Sequence, residues 1–347
     1  MRAARWNAPQ ELELTEVDAP VAGPGQLVLD VAACGICGSD LHSYASGFAA
    51  TPGQVLGHEL SGRVREADGV AGVAVGDRVT VRPLTPCGAC PRCLEGEIQL
   101  CEAGHALNIG YGTPGGFADR VLVPKAQVGL TVFPLPDEVD DRAGALVEPL
   151  AVSLRAVHQA DPAPDAVAVV LGAGMIGLGV VRLLRLRGVG RIVVSDPSPA
   201  RRAVALELGA DVACDPLEQP LVDAVAAITG PGAGGRGARA DVVVDCAGSG
   251  PALLDGIKAT RHGGTLVIAA VHGRKIELNP TRIMEKELRV VGSLGYRDEF
   301  AAVVDLLRCG EIDADAFISH ELPLDRIDEA FRLQLGRGDA IKVLVRP

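Results

Sequence analysis

The feature that most constrains the fold of this chain is the glycine-rich hexapeptide GAGMIG at residues 172–177. It directly follows the apolar run Val167–Leu171 and opens the helical pattern of Leu178–Leu186. In such a unit the first glycine permits a tight turn, the second lets a pyrophosphate approach the backbone, and the third lets the helix pack against the strand. The helix amino terminus adds partial positive charge for the phosphates. The loop residues predicted to bind a dinucleotide are Gly172, Gly174, Met175, Ile176 and Gly177.

The apolar runs that follow this motif alternate with helical stretches. Ile192–Ser195, Asp241–Asp245 and Thr265–Ala270 are predicted to be further strands. Alternation of strand and helix is typical of a parallel sheet with crossover helices. The sequence therefore predicts an α/β fold in which this part is a doubly wound, Rossmann-type domain.

The first part of the chain shows a different pattern, in which short β-like runs alternate with turns rich in glycine and proline. It predicts a mostly β domain, with strands at Leu27–Ala32, Arg78–Val81 and Val121–Val123. The prolines of Asp161–Asp165 cannot continue a helix, so this stretch is a candidate junction. After residue 296 the alternation fades, and we expect this tail to return to the first domain.

A carboxylate at the end of the next strand bears on the choice of dinucleotide. Asp196 lies 19 residues after Gly177, where an acidic side chain accepts hydrogen bonds from the adenosine ribose and repels a 2′-phosphate. Arg201 and Arg202 follow and offer charges that could bind such a phosphate, but they also fit a helix surface facing solvent or the adenine. We expect NAD rather than NADP, with Asp196 and Arg201 in its site.

A second glycine-rich run, Gly230–Gly237, has the wrong context for a phosphate loop. It follows a helical pattern and precedes a strand, which reverses the order found in a dinucleotide-binding unit. We expect a surface loop here.

Four cysteines with the spacing C-x2-C-x2-C-x7-C lie in one short stretch interrupted by glycines and prolines. This composition favours a loop wrapped around a metal over a strand or helix. Four thiolates suit a closed tetrahedral zinc site that holds structure and performs no chemistry. An iron–sulfur cluster and a disulfide pair are the alternatives. We expect structural zinc in the loop 87–101, bound by Cys87, Cys90, Cys93 and Cys101.

The overall composition fits a folded globular protein and disfavours some partners. With 33 lysines and arginines against 44 aspartates and glutamates, the formal net charge is −11, so nonspecific binding to nucleic acid or an anionic membrane is not expected. The amino-terminal residues lack the apolar core of a signal peptide. No apolar stretch reaches the roughly 18 residues of a membrane span. Because the remaining cysteines have no secretory context, we expect a cytoplasmic location.

A second set of metal-ligating side chains is spread over three segments. The run from Cys37 to His42 contains a thiolate, a hydroxyl, a carboxylate and an imidazole, and His58 and Glu59 add another imidazole and carboxylate. Glu148 precedes a proline at the start of a predicted helix. Thiolate, imidazole and carboxylate together suit zinc with one open position for water or substrate. Taken singly, the same residues also fit a loop histidine, a buried cysteine and a helix cap.

Taken together, these motifs resemble those of the zinc-dependent medium-chain alcohol dehydrogenases over nearly the whole chain. The motifs that carry the resemblance are CGICGSDLH at 34–42, GHE at 57–59, the four-cysteine loop, GGFADRVLVP at 115–124, EPLAVSLRAV at 148–157 and GAGMIG with Asp196. The resemblance implies a GroES-like, mostly β catalytic domain at residues 1–151 and 296–347. A Rossmann NAD-binding domain at 152–295 is then inserted between these parts, with the active site in the cleft.

The resemblance implies two zinc ions per chain, one structural and one catalytic. Cys37 and His58 match ligands of the catalytic zinc, and Glu59 matches the carboxylate next to it. The chain departs from many alcohol dehydrogenases at the third ligand, where Glu148 stands in place of a cysteine. This substitution resembles the sorbitol, threonine and butanediol dehydrogenase branch, and it leaves open whether Glu59, Glu148 or both in turn bind the metal.

The same resemblance implies catalytic roles. Ser39 matches the hydroxyl that takes the proton of the alcohol, His42 the histidine that passes it to water, and Asp40 the acid that orients the ligand histidine. Backbone near Val271, at the end of a predicted strand, is expected to face the nicotinamide ring. The implied reaction transfers a hydride between a secondary alcohol and NAD, with zinc as the Lewis acid.

The substrate class follows from the branch and is expected to be a polyol or vicinal diol. Threonine and sugar acids are alternatives within the branch, and Arg297 could hold an acidic substrate. A formaldehyde or primary-alcohol dehydrogenase is disfavoured because the third-ligand cysteine is absent. A non-catalytic nucleotide-binding relative is disfavoured because Ser39 and His42 are retained. The candidate pocket residues are Tyr44, Phe48, Ile109 and the stretch 293–297.

The family also implies a homodimer or homotetramer, in which Rossmann sheets often join edge to edge. The apolar stretch Leu288–Leu294 is the candidate edge strand.

Overall fold

The computed structural model describes residues 1–230, 239–336 and 338–347. Two units divide the chain: Met1–Ala151 together with Tyr296–Pro347, and Val152–Gly295. Apart from Gly230, the glycine-rich run predicted to be a surface loop lies outside the described residues. None of the helices in these ranges is long and apolar enough to cross a membrane.

The strands, numbered along the chain, are short and belong to both units. They are β1 (Arg2–Ala8), β2 (Glu11–Glu16), β3 (Gln26–Gly35), β4 (Gln54–Val55), β5 (Glu59–Asp68), β6 (Arg78–Val81), β7 (Arg120–Val123), β8 (Val132–Pro134), β9 (Val167–Leu171), β10 (Arg191–Ser195), β11 (Val212–Cys214), β12 (Ala240–Asp245), β13 (Thr260–Ile268), β14 (Arg289–Gly292), β15 (Ile318–Pro323) and β16 (Lys342–Arg346).

The α-helices are concentrated in the second unit and at the ends of the first. They are α1 (Gly38–Ser46), α2 (Pro91–Leu94), α3 (Asp141–Ala145), α4 (Val147–Ala160), α5 (Met175–Leu186), α6 (Pro199–Glu207), α7 (Leu221–Thr229), α8 (Gly250–Ala259), α9 (Thr281–Glu285), α10 (Glu299–Arg308) and α11 (Ile327–Leu335).

The first unit is mostly β, as the sequence predicts. A small sheet has the strand order β2-β1-β4, and a larger one has the order β15-β16-β3-β5-β6-β8, with β7 paired to β3. The pairs are antiparallel except β15 with β16. Alternate residues of β3, among them Leu27 and Leu29, face a core that also contains Leu60, Phe117 and Phe331. The carboxyl-terminal strands thus complete the sheet that carries the metal-ligating segments.

The second unit is a doubly wound parallel sheet, which confirms the predicted fold class. Its strand order is β11-β10-β9-β12-β13-β14, and every neighbouring pair is parallel. The order reverses direction between β9 and β12, which is the point where open sheets of this kind bind ligands. The strands are continuous apolar runs because helices cover both faces, and Val169, Val193, Val243 and Leu266 lie in the core.

The bounds of several elements depart from the prediction, among them β3, which runs from Gln26 to Gly35 and so extends beyond the predicted Leu27–Ala32. Helix α5 begins at Met175, directly after the second loop glycine, and not at Leu178. Strand β13 begins at Thr260 and ends at Ile268, earlier than the predicted Thr265–Ala270. The division between the units falls inside α4, whereas the proline-containing stretch Asp161–Asp165 follows that helix within the second unit.

Candidate active site and metal centres

The position of Cys37, the first predicted ligand, is fixed by a capping box at the amino terminus of helix α1. Cys37 is the N-cap residue, with extended backbone, and its N–H donates to Asp40 Oδ2 at 2.9 Å. The other oxygen, Oδ1, accepts the N–H of Gly57 at 3.3 Å. Asp40 therefore ties the start of α1 to the loop before His58, which brings two distant segments of the chain together.

The structure brings Cys37, His58 and Glu59 into one group, with one ligand atom from each residue within 4.8 Å of the others. His58 Nδ1 lies 3.5 Å from Asp40 Oδ1, longer than a hydrogen bond but close enough for an electrostatic contact. Burial opposes protonation of His58, yet Tyr111, Asp40 and Cys37 outweigh it and raise the pKa of the imidazole. A proton thus competes with a metal ion for this ligand.

A buried lysine, not predicted from the sequence, neutralises the negative charge of Glu59 in this ligand group. Lys342 Nζ lies 2.5 Å from Glu59 Oε2 and donates to the Ile36 carbonyl at 2.8 Å. Burial alone would lower the pKa of Lys342, but Glu59 and Cys37 raise it overall, so the lysine stays charged. Within the described residues, the other oxygen of Glu59 is buried without a hydrogen-bond partner. A metal ion bound to these ligands would satisfy that oxygen, so the donor set fits zinc.

Glu148 lies near this group but is not one of the three residues whose ligand atoms converge. It is buried at the start of α4. Burial raises the pKa of Glu148 to about 7; Glu59 adds to the increase, whereas His58 and Lys342 oppose it. A carboxyl group with this pKa is a weak anionic ligand at neutral pH until a cation is bound beside it.

Two hydroxyl groups lie beside His58 Nε2. Ser39 Oγ and the Tyr111 hydroxyl are each 3.4 Å from this nitrogen, and Tyr111 donates to Ser39 Oγ at 2.8 Å. Burial raises the pKa of Tyr111, so the phenol stays protonated. His42 lies one turn beyond Ser39 on α1, with its ring edge-on to Phe48 at a centroid distance of 6.3 Å.

Tyr111 was not predicted from the sequence because it lies outside the recognisable motifs. The available signal was modest: it is one of three tyrosines in the chain and lies between the four-cysteine loop and GGFADRVLVP. The missed signal for Lys342 was a charged residue directly before the apolar run Val343–Val345 of its strand.

The predicted substrate-pocket residues that belong to the first unit differ widely in exposure. Tyr44 is a core residue, with its ring 5.0 Å from that of Phe331 and its hydroxyl donating to Asp328. Ile109 is fully buried in the same core. Phe48, in contrast, is 54% exposed. Arg297 is partly exposed beside Asp298, as expected of a solvated arginine.

The four loop cysteines are gathered as a metal site requires. The sulfur atoms of Cys87 and Cys93 are 3.9 Å apart, and those of Cys90 and Cys101 are 4.0 Å apart. A tetrahedral zinc with bonds of roughly 2.3 Å needs sulfurs about 3.8 Å apart, so these residues fit zinc. The backbone N–H groups of Ala89 and Cys90 donate to Cys87 Sγ and lower the pKa of that thiol to about 6. The site is therefore predisposed to hold a thiolate.

The glycine loop of the second unit has the geometry of a phosphate-binding turn. Gly172 has φ +87°, a conformation that other residues rarely adopt, and a Cβ on Gly177 would overlap the Gly172 carbonyl. Asp196, at the end of β10, accepts the N–H of Ala173 at 2.7 Å and that of Ser198 at 2.8 Å. Each carboxylate oxygen keeps a second lone pair for a ribose hydroxyl.

The two arginines after Asp196 differ in their contacts. The Arg202 guanidinium already has protein partners: it donates to the Asp196 and Pro197 carbonyls and pairs with Asp215 at 3.0 Å. The Arg201 N–H donates to the Ser198 side chain, which caps α6. In the same unit, Val271 is 51% exposed just beyond the carboxyl end of β13.

Comparison with known proteins agrees with this architecture. The family described as alcohol dehydrogenase GroES-like domain matches residues 23–137, and the family described as zinc-binding dehydrogenase matches residues 176–308. The chain is 35% identical over 361 residues to (R,R)-butanediol dehydrogenase of Bacillus subtilis, covering 100% of both chains. It is 34% identical over 350 residues to 2-dehydro-3-deoxy-L-galactonate 5-dehydrogenase of Pseudoalteromonas atlantica, covering 99% of this chain and 98% of the relative.

A solved structure shows the same fold. A zinc-binding dehydrogenase of Sinorhizobium meliloti, bound to NADP, is 35% identical and superposes with a TM-score of 0.88 over 100% of this chain and 99% of the other. Fold, ligand groups and glycine loop together define a zinc-binding dehydrogenase. The chain belongs to the zinc-dependent medium-chain alcohol dehydrogenase family. It is therefore an oxidoreductase that uses zinc and a nicotinamide dinucleotide to act on small-molecule alcohols or ketones.

Proposed function

We propose that this enzyme oxidises secondary alcohols that carry a neighbouring hydroxyl, namely polyols or vicinal diols, with NAD as the hydride acceptor. The observation that carries the proposal is the convergence of Cys37, His58 and Glu59 within 4.8 Å, with the Ser39 hydroxyl 3.4 Å from His58 Nε2. The similarity to a butanediol dehydrogenase supports the substrate class.

The residues that would hold the catalytic zinc are Cys37, His58 and Glu59, with Glu148 available as an exchanging or additional carboxylate. Zinc bound there supplies a Lewis acid that lowers the pKa of a substrate hydroxyl towards neutrality. The four loop cysteines would hold the structural zinc.

The chain's own residues would move the proton and fix the ligands. Ser39 Oγ accepts the proton of the substrate hydroxyl through the lone pair that Tyr111 leaves free. His42, one turn further along α1, passes a proton on towards water. Asp40 keeps the His58 ring oriented through its contact with Nδ1. Lys342 offsets one negative charge of the ligand group.

For the cofactor, we propose that the loop from Gly172 to Gly177 binds the pyrophosphate and that Asp196 binds the adenosine ribose of NAD. A 2′-phosphate would meet the buried Asp196 carboxylate, while the Arg202 guanidinium is already engaged by Asp215 and two carbonyls. We place Arg201 at the edge of this site and the backbone near Val271 beside the nicotinamide.

We infer a homodimer or homotetramer that joins through the second unit's terminal strand β14. We also infer a reducing, cytoplasmic location, because all nine cysteines of the chain are free thiols and five of them belong to the two metal-ligand groups.

The test is NAD reduction by zinc-loaded protein on a panel of butane-2,3-diol, sorbitol, xylitol, threonine, a sugar acid and butan-2-ol, with NADP in parallel. We expect the highest kcat/KM among the diols and polyols, and at least about tenfold preference for NAD. Highest activity on the sugar acid or threonine would replace the proposed substrate class by the corresponding alternative.

The Cys37→Ala variant tests the assignment of the catalytic site. We expect it to remain folded, to bind one zinc per chain instead of two, and to lose turnover. The matched control is Cys309→Ser, an exposed cysteine outside both ligand groups, which should keep both metals and full activity. Full turnover by Cys37→Ala with one zinc per chain would contradict the proposed site.

A further inference from the structure

We propose that Tyr111 determines substrate specificity, because its hydroxyl is placed to bind the second oxygen of a substrate with oxygens on adjacent carbons. This inference rests on the proposed function. It adds the group that separates a vicinal diol from a simple secondary alcohol.

Tyr111 and Ser39 present two hydroxyls at one place. Their oxygens are 2.8 Å apart, and each lies 3.4 Å from His58 Nε2. The other ring nitrogen, Nδ1, lies against Asp40, so Nε2 is the nitrogen left for a metal. Both hydroxyls therefore border the proposed ligand group, although the mechanism assigns a role to Ser39 alone.

The separation of the two hydroxyls matches the substrate class. Two gauche oxygens on adjacent carbons lie about one hydrogen-bond length apart, as Ser39 Oγ and the Tyr111 hydroxyl do. A diol whose reacting oxygen is bound to Ser39 thus places its second oxygen within reach of Tyr111. The phenol O–H of Tyr111 can donate, and an oxygen of either a hydroxyl or a ketone can accept.

The hydrogen bond to Tyr111 would not be available to an alcohol with one oxygen. With that substrate, the phenol remains hydrogen-bonded to Ser39, as in the structure. Loss of the phenol hydroxyl should therefore change kcat/KM little. A diol instead takes over the single phenol proton from Ser39, so in Tyr111→Phe it loses a hydrogen bond in a partly buried site. Tyr111 acting only to orient Ser39 would affect every alcohol alike, and this difference makes the two roles separable.

The experiment compares zinc-loaded wild-type enzyme with Tyr111→Phe on butane-2,3-diol and on butan-2-ol, with NAD. The substitution keeps the ring, which packs against His58 at a centroid distance of 5.0 Å. We expect kcat/KM for the diol to fall by about tenfold to a hundredfold, and that for butan-2-ol to change by less than about threefold. Thr229→Val, which removes a hydroxyl at the end of α7, should leave the preference unchanged.

A binding measurement gives a second readout that does not depend on turnover. Neither butane-2,3-diol nor butan-2-ol can react with NADH. In NADH-loaded protein, butane-2,3-diol should therefore raise the melting temperature more than butan-2-ol does, and Tyr111→Phe should remove this difference.

The outcomes separate the two proposals. Equal losses on diol and mono-alcohol, or no loss on either, would overturn the role of Tyr111 while leaving the proposed function intact. Failure of the wild-type enzyme to oxidise either alcohol would overturn the proposed function and this inference with it.

Discussion

At the scale of single residues, the ion pair between Lys342 and Glu59 sets the charge of the proposed zinc site. Both side chains are almost completely buried, and their charged atoms are 2.5 Å apart. Burying a carboxylate or an ammonium group alone carries a large desolvation penalty, which the opposite charge offsets. Removing either residue would therefore leave the other as an uncompensated buried charge. Gly35 makes room for the pair, since a Cβ at this position would overlap Glu59 Oε2.

We therefore expect Lys342→Met to lower the free energy of unfolding of the metal-free protein by about 3–5 kcal/mol, because Glu59 would stay buried without its cation. Zinc loading should reduce the loss, since the metal would offer Glu59 another positive charge. Urea unfolding with and without chelator measures both values. The control is Lys258→Met, which removes a largely exposed ion pair and should cost less than about 1 kcal/mol. Equal small losses in the two variants would show that the buried pair contributes little.

The choice of dinucleotide also depends on one residue. Asp196→Ala would remove the carboxylate that accepts the Ala173 and Ser198 N–H groups and that we assign to the ribose of NAD. We expect kcat/KM for NAD to fall by about tenfold or more and the NAD:NADP ratio to move towards one. Steady-state kinetics with both cofactors give the ratio. An unchanged ratio would mean that Asp196 stabilises the loop but does not bind the adenosine ribose.

At the scale of elements, the loop 87–101 has little regular structure to hold it together. It contains the short helix α2, none of whose residues is buried, and one turn of 3-10 helix. The four sulfurs are the groups that converge there. Metal binding, and not burial of apolar surface, is therefore expected to give this loop its fixed conformation.

Cys93→Ser should consequently release one zinc per chain and make the loop sensitive to proteolysis. Elemental analysis and limited trypsin digestion, with cleavage expected after Arg92, measure the two effects. Cys309→Ser is the matched control and should behave as the wild type. A variant that retains two zinc ions and a resistant loop would contradict the assignment of Cys93 as a ligand.

The carboxyl end of helix α8 is closed by a lysine from a later segment. Lys286 Nζ donates to the carbonyls of Ile257, Lys258 and Thr260 at 2.7 to 2.9 Å. A cation at this end satisfies terminal carbonyls and interacts favourably with the helix dipole.

Replacing this lysine should therefore destabilise the second unit. We expect Lys286→Met to lower the free energy of unfolding by about 1–2 kcal/mol, since the site is partly exposed. Urea unfolding measures the loss, and Lys258→Met again serves as the exposed control. A loss no larger than that of the control would show that water replaces the lysine at little cost.

The second unit was the more predictable part of the chain. Buried parallel strands are continuous apolar runs, and the predicted bounds of β9 agree with the structure. Strands β1 and β2 were not predicted, because their small sheet is partly exposed and lacks strong apolar runs.

The site was predictable only where its residues lie in local motifs. Lys342 reaches Glu59 across 283 residues of sequence, and Tyr111 reaches Ser39 across 72. Contacts of this kind depend on the completed fold and leave no local spacing. Tyr44 shows the converse, because the family resemblance suggested a pocket position for it while its ring packs in the core.

At the scale of the whole molecule, we propose strand β14 as the surface through which the chain self-associates. It forms one end of the parallel sheet, and in the described part of the chain it pairs with β13 alone. Its other side has no strand partner there, although the Gly292 carbonyl accepts a hydrogen bond from Gln159 Nε2 at 3.2 Å. The nearby apolar residues Val290 and Leu294 are 40% and 59% exposed. A two-fold partner would pair the same strand with itself and extend the sheet.

We therefore expect Val290→Lys to halve the molar mass measured by sedimentation equilibrium, whether the wild-type enzyme is a dimer or a tetramer. Two lysines facing each other across the two-fold axis would repel and remain solvated, which favours separated subunits. Leu217→Lys is the matched control, since it places the same charge on another exposed apolar residue of the second unit. If both variants keep the wild-type mass, assembly does not depend on β14. A smaller mass for both would instead show a general effect of added charge, because Leu217 lies between α7 and β11, the strand at the opposite end of the sheet.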